Sequence, residues 1–232
     1  PVSDELAASI ARMVTESPVL VVLERLEHNS GLATALTVGL ERCSYDVVAR
    51  MDADDISLPE RFERQLPLIE AGNELVGSGL CEFTGDEHIT AVRTPPTGHA
   101  EISAFARFHD PFNHPTVVYR RAAVIRAGGY RSLDLMEDYW LFARMIHDGA
   151  RVENLADPLV MYRTDAGSYD RRGGWRLFRS ELRLQRHFRQ SGFVSVGQFV
   201  RNVVVRGGYR FVPVGLRKFF YQRVFARRAD TP

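Results

Sequence analysis

The chain has 232 residues, 45% of them apolar and 25% charged, which suits one sizeable domain, or one domain with an appendage, and excludes a disordered chain. No run nears the roughly 20 consecutive apolar residues that a membrane-crossing helix needs. The opening Pro1-Val2-Ser3-Asp4-Glu5 lacks the pattern of a secretory signal, and Cys43 and Cys81 stand too far apart for a metal or redox motif, so a reduced, cytoplasmic chain is expected.

The net charge of +1 hides a division: residues 1–170 hold 15 Arg against 27 acids, and residues 171–232 hold 14 Arg and one Lys against 2 acids. An acidic body with a basic tail follows, and a basic tail favours an anionic surface.

In chain order, apolar residues at helical spacing from Leu6 to Val14 follow a start signal at Ser3-Asp4. Val19 to Leu23 is a short apolar run after Pro18 and reads as a buried strand. Ser30 to Leu40 reads as a helix, Asp46 to Met51 as a second strand, and Ser57-Leu58-Pro59-Glu60 as the opening of another helix. This alternation predicts an α/β domain with a parallel sheet. Further on, Leu75–Ser78, Ile89–Arg93, Thr116–Tyr119 and Leu159–Arg163 read as strands. Ala100–Phe108, Arg121–Ala127 and Leu135–Asp148 read as helices, and a basic helix runs from Trp175 to Phe188. Residues 193–228 remain basic and apolar at helical spacing.

The chemistry concentrates where the second strand ends, at Asp52-Ala53-Asp54-Asp55. Ligands of open α/β sheets bind beyond the carboxyl ends of strands. Three neighbouring carboxylates repel one another, and a hard divalent cation bridging them to a diphosphate would explain their company. A solvated turn capping the next helix explains the same residues.

The stretch Ala49-Arg50-Met51-Asp52-Ala53-Asp54-Asp55-Ile56-Ser57-Leu58-Pro59-Glu60-Arg61 resembles the metal-binding signature of family 2 glycosyltransferases, an Asp-x-Asp followed by a Pro-x-Arg helix start. Asn29-Ser30-Gly31 is similar to the Asn-x-Gly start of the helix before it, although Thr37 stands where the family often has Asn. Asn113-His114-Pro115-Thr116 with Ala127-Gly128-Gly129-Tyr130 resembles the acceptor-side segment. Met136-Glu137-Asp138-Tyr139-Trp140 resembles the Glu-Asp motif that opens the catalytic helix, and Leu159–Arg163 the closing strand.

The resemblance implies a GT-A (Rossmann-like) mixed α/β sheet with flanking helices over residues 1–170, and a basic helical appendage over 171–232. It implies inverting transfer from a UDP- or dTDP-sugar to a hydroxyl of a glycan or glycolipid, with Mn²⁺ or Mg²⁺. Asp54 would be the closer metal ligand, Asp52 would meet the metal or the donor ribose, and Arg163 would meet the diphosphate. Asp138 would be the general base, because a single displacement at the anomeric carbon needs a carboxylate to take the attacking hydroxyl's proton. Asp55, His114 and Glu137 would position the acceptor or its loops.

Each of these positions has a plain structural alternative. Asp55, Glu137 and Asp138 also suit helix starts, His114 suits a structural histidine before Pro115, and Arg163 suits an ion pair. Asp165 stands where the family carries a metal-binding His and is the candidate third ligand.

Family members open with a strand–helix–strand that holds the nucleobase, and Pro1 begins after that point. An incomplete base site and an exposed sheet edge are therefore expected. The tail interleaves Arg with aromatics over residues 175–228. It suits an anionic membrane surface, which would place the enzyme at the inner face of the cell membrane, or packing on the acidic body. No nucleic-acid motif is visible. Two other classes compete. A phosphotransferase with Asp52 as nucleophile would want Thr where Ile56 stands. A degenerate, non-catalytic transferase could present its tail as an interaction module.

Overall fold

The computed structural model describes residues 2–85, 88–164 and 174–209. The elements in chain order are helices α1 (Asp4–Glu16) and α2 (Leu32–Arg42), strands β1 (Val47–Ala49) and β2 (Ile56–Ser57), and helix α3 (Arg61–Glu70). Then come β3 (Leu75–Thr84), β4 (His88–Arg93), α4 (His99–Phe105), β5 (Val118–Arg120), α5 (Arg121–Arg126) and α6 (Glu137–His147). β6 (Val152–Arg163), α7 (Trp175–Gln190) and α8 (Val196–Asn202) complete the series.

The sheet runs β1-β5-β3-β6-β2, with β4 also on β3. β3 and β6 are parallel, from Leu75 opposite Val152 to Phe83 opposite Arg163. The other pairings are antiparallel. The sheet is therefore mixed, as the GT-A resemblance implies, and the wholly parallel sheet suggested by the helix–strand alternation does not form. Periodicity fixes the elements, but the direction of each strand depends on its non-local partners.

β3 lies at the centre and is buried from Leu75 to Phe83. Where β6 shifts register against it, the backbones close in: a Cβ at Gly79 would stand 2.6 Å from the Ala156 carbonyl oxygen. Only glycine fits there.

The expected strand at Val19–Leu23 is absent. The segment is irregular, and Val19 and Leu20 are 71% and 87% exposed. An apolar run becomes a strand only when a neighbour takes its backbone hydrogen bonds, and no described strand lies beside it. The expected helix start at Ser57–Glu60 also moves. Ile56 and Ser57 pair with Met161 and Val160, and the helix begins at Arg61.

One core unites the body and the tail. Leu141, Phe142 and Met145 of α6 pack with Ile102, Val124 and Val152, and Leu184, Phe188 and Phe193 from the tail join them. A buried polar network seals the contact. Arg206 donates to both Glu181 carboxylate oxygens, at 2.7 and 3.1 Å, and to the Phe108 carbonyl at 2.7 Å. Asn202 donates to the Arg107 carbonyl at 2.8 Å and to Gln185 at 2.9 Å. The described part of the tail thus packs on the body.

Removing one partner of a buried ion pair strands the other charge. Glu181→Leu should lower stability by about 3–5 kcal/mol in urea denaturation. The double variant Glu181→Leu/Arg206→Met should recover most of that loss. A single variant within about 1 kcal/mol of the parent would show that the pair does not hold the tail.

Candidate active site

The acid-rich loop leaves the end of β1 and is held from two sides. From below, the fully buried Arg61 donates through Nη2 to the Arg50 carbonyl at 2.9 Å, through Nη1 to Met51 Sδ at 3.3 Å, and through Nε to Gln65 at 3.0 Å. Gln65 in turn donates to the Thr116 carbonyl at 2.8 Å. Burial and the nearby Arg50 pull the Arg61 guanidinium down to about 10. From the other side, Arg163 donates its backbone N–H to Asp55 Oδ1 at 2.9 Å and its Nε to the Asp54 carbonyl at 3.0 Å. Its guanidinium lies over Phe83, 4.5 Å from the ring centre.

Within the loop, Arg50 pairs with Asp52 at 2.5 Å. The Asp54 side chain is exposed. Asp55 Oδ2 is buried without a partner, and burial together with Asp52 and Asp54 pushes this carboxyl up to about 6. Among the described residues no ready cluster of three metal-binding side chains exists. The orphaned Asp55 oxygen and the mutual repulsion of three hard carboxylates nonetheless fit a divalent cation at Asp52 and Asp54. Asp165 lies outside the described residues.

The second acidic group opens α6. Glu137 is buried and accepts from the Met136 N–H at 3.0 Å. Asp138 uses Oδ1 to accept from the Tyr139 N–H at 2.8 Å, and its Oδ2 faces His114 Nδ1 at 3.6 Å, beyond hydrogen-bond length. Burial and Glu137 push Asp138 up to about 6. His114 is held by Tyr130, whose hydroxyl lies 3.1 Å from Nε2, and burial and Arg50 keep this imidazole neutral. Both helix-start carboxylates therefore do some capping, and Asp138 keeps one oxygen for other work.

Arg50 ties the two groups together. Its guanidinium is 6% exposed, contacts Asp52, and carries two buried nitrogens without partners. Its field also reaches Asp55, His114, Tyr130 and Asp138. Sequence reasoning gave no role to Arg50, Arg61 or Asp110. Asp110 is held well above the usual carboxylate range by burial and by Asp138. The Pro-x-Arg pattern marked Arg61, but nothing local to the sequence marked the other two.

The sequence model of Glycosyl transferase family 2 matches residues 3–129. The chain is 40% identical over 227 residues to the amylovoran biosynthesis glycosyltransferase AmsE of Erwinia amylovora, covering 96% of this chain and 84% of that one. It is 33% identical over 207 residues to the UDP-Gal:alpha-D-GlcNAc-diphosphoundecaprenol beta-1,3-galactosyltransferase of Escherichia coli, covering 87% and 74%. Among solved structures it is similar to the mannosyltransferase PcManGT from Pyrobaculum calidifontis in complex with GDP-Man and Mn²⁺, with a TM-score of 0.58 and 14% identity. That match covers 96% of this chain and 64% of the other, less than two thirds of its length. At this identity the likeness concerns the fold.

Because Arg61 satisfies the Arg50 carbonyl from inside the core, Arg61→Met should cost about 1–3 kcal/mol in urea denaturation. Arg61→Lys, which lacks the planar fork, should restore only part of this. Full stability in the Met variant would remove Arg61 as the brace of the loop.

Proposed function

The chain belongs to glycosyl transferase family 2 and has the GT-A fold, and from that premise we propose that it moves a sugar from a UDP- or dTDP-sugar to a hydroxyl of a glycan or lipid-linked acceptor, with inversion and a divalent metal. The names of AmsE, an amylovoran biosynthesis enzyme, and of the Escherichia coli galactosyltransferase, which acts on a diphosphoundecaprenol-linked sugar, favour a growing or lipid-linked glycan as acceptor. The observation that carries the reading is the arrangement around Arg50: the Asp52–Asp54 loop on one side, and Asp138 with a carboxylate oxygen to spare on the other.

In this reading Asp54 is the closer ligand of Mn²⁺ or Mg²⁺, and Asp52 meets the metal or the donor ribose. When bound, the metal supplies positive charge for the leaving diphosphate. Arg163 lies beside Asp54 and extends that positive field. Asp138 Oδ2 takes the proton of the attacking hydroxyl while Oδ1 stays bonded to the Tyr139 N–H. His114 and Glu137 shape the acceptor side and Asp55 the loop, each from its hydrogen-bonded position.

Among the described residues no helix is long and apolar enough to cross a membrane. Arg176, Arg179, Arg183 and Arg186 are exposed at three- and four-residue spacing on α7, a face suited to an anionic membrane. The part of the basic region beyond residue 209 lies outside the described residues.

Asp54→Ala should abolish metal-dependent UDP or dTDP binding in calorimetry without changing the melting temperature. Unchanged metal-dependent binding would take Asp54 out of the metal site. Asp138→Asn should lower turnover by about 10²-fold or more, with donor binding unaltered. A base works only when ionised, so parental activity should rise through about pH 6, where the Asp138 carboxyl loses its proton. Near-normal turnover in Asp138→Asn would return Asp138 to helix capping. Donor binding without any transfer in the parent would favour the interaction-module alternative.

A further inference from the structure

A second cationic centre lies between α6 and α7, away from the acidic loop. A cavity of about 320 Å³ opens there, lined by Arg131, Trp140, Arg144, His147, His187 and Gln190 among others. Trp140, Arg144 and His147 recur at three- and four-residue spacing and share one face of α6. Asp138 stands two positions before Trp140 and does not share that face.

Two guanidiniums and an imidazole gather around Trp140. The His187 ring stacks on it at 4.4 Å and 15°, and the guanidiniums of Arg144 and Arg131 lie 5.2 and 5.7 Å from its centre. Both guanidiniums also meet at Gly128, where an added Cβ would stand 3.3 Å from Arg131 Cζ and 3.3 Å from Arg144 Nη1. Acids nearby do not balance them. Asp148 faces Arg144, and Asp134 is taken by Arg176 at 2.8 Å. Burial, and then Arg131 and Arg144, depress the proton affinity of His187, and burial with Arg131 brings Arg144 down to about 10.

Arg144 has a structural reason to be there, since it donates to the Ala127 and Gly129 carbonyls. Arg131 and His187 are held more lightly, against the face of Trp140. Both are exposed, and among the described residues Arg131 donates to the Gly128 carbonyl at 3.4 Å. Like charges crowded at a concave, aromatic-backed surface repel one another, and a multiply charged anion relieves the repulsion while accepting from the guanidinium forks.

We propose that the cavity between α6 and α7 is a phosphate-binding site, separate from the site of transfer, in which Arg131, Arg144 and His187 hold a lipid headgroup phosphate or a free phosphate. The site stands independently of the transferase reading.

The test uses the full chain and the double variant Arg131→Gln/His187→Gln. Calorimetry with inorganic phosphate and glycerol 3-phosphate should show binding to the parent and at least tenfold weaker binding to the variant, at equal melting temperature. Sedimentation with phosphatidylcholine vesicles, with and without phosphatidylglycerol, separates the sources. A tenfold loss of partition to the anionic vesicles in the variant identifies the headgroup, and equal partition alongside lost phosphate binding identifies the free ion. A second measurement needs no variant: saturating phosphate should shift the His187 ring resonances in the parent protein. Unshifted resonances, or phosphate affinity that is absent or identical in both proteins, would overturn the proposal.

Discussion

Two buried guanidiniums side by side, Arg50 and Arg61, set the geometry of everything around the acidic loop. A single buried cation is costly, and two within each other's field cost more. Arg61 meets its cost with three acceptors inside the core. Arg50 meets part of its cost through Asp52 and leaves two nitrogens without partners. Its positive charge offsets part of the repulsion felt by Asp52 and Asp55. The loop can therefore keep its carboxylates together before any cation arrives. The same charge reaches Asp138 and lowers its proton affinity, while burial and Glu137 raise it. The loop acids and Asp138 thus share one electrostatic support at the end of β1.

The balance at Asp138 bears on the general-base role proposed for it. A surface aspartate would be ionised at neutral pH but would be a feeble base. A fully buried one among Glu137 and Asp110 would hold its proton. The Asp138 side chain is 26% exposed, and backbone hydrogen bonding and Arg50 counter its burial. Its carboxyl is pushed up to about 6, close to the range in which general-base catalysis works best.

The legible parts of the sequence were those governed by near neighbours. Helical spacing located α2, α5, α6 and α7 to within a few residues, because each buries one face and its pattern shows in the text. The carboxylate run located the loop, since strand ends collect ligands. Val19–Leu23 failed because an apolar run does not say whether a partner strand stands beside it. The helix–strand alternation missed the mixed strand directions for the same reason, although the family resemblance implied a mixed sheet. β6 was foreseen only from Leu159, yet it starts at Val152, since its first half, including Asn154 and Asp157, lacks the apolar look of a buried strand. Arg50 and Asp110 owe their significance to residues far along the chain, and no local spacing encodes that.

Surface charge complementarity between body and tail is a poor account of how they join. Among the described residues, Arg176 pairs with Asp134 across the boundary, and the Arg176 side chain is 83% exposed, so water and salt screen that contact heavily. The closest buried pair, Arg206 with Glu181, lies within the tail itself. What docks the tail is apolar burial by Leu184, Phe188 and Phe193, with Asn202 and Arg206 satisfying carbonyls of the α4 end. Contacts of this kind keep their strength in salt. They leave Arg179 and Arg186 of α7 exposed, while Arg176 reaches Asp134 of the body. A tail held by its apolar face can thus offer its positive face to an anion, and raised ionic strength should loosen that outer contact well before it loosens the tail.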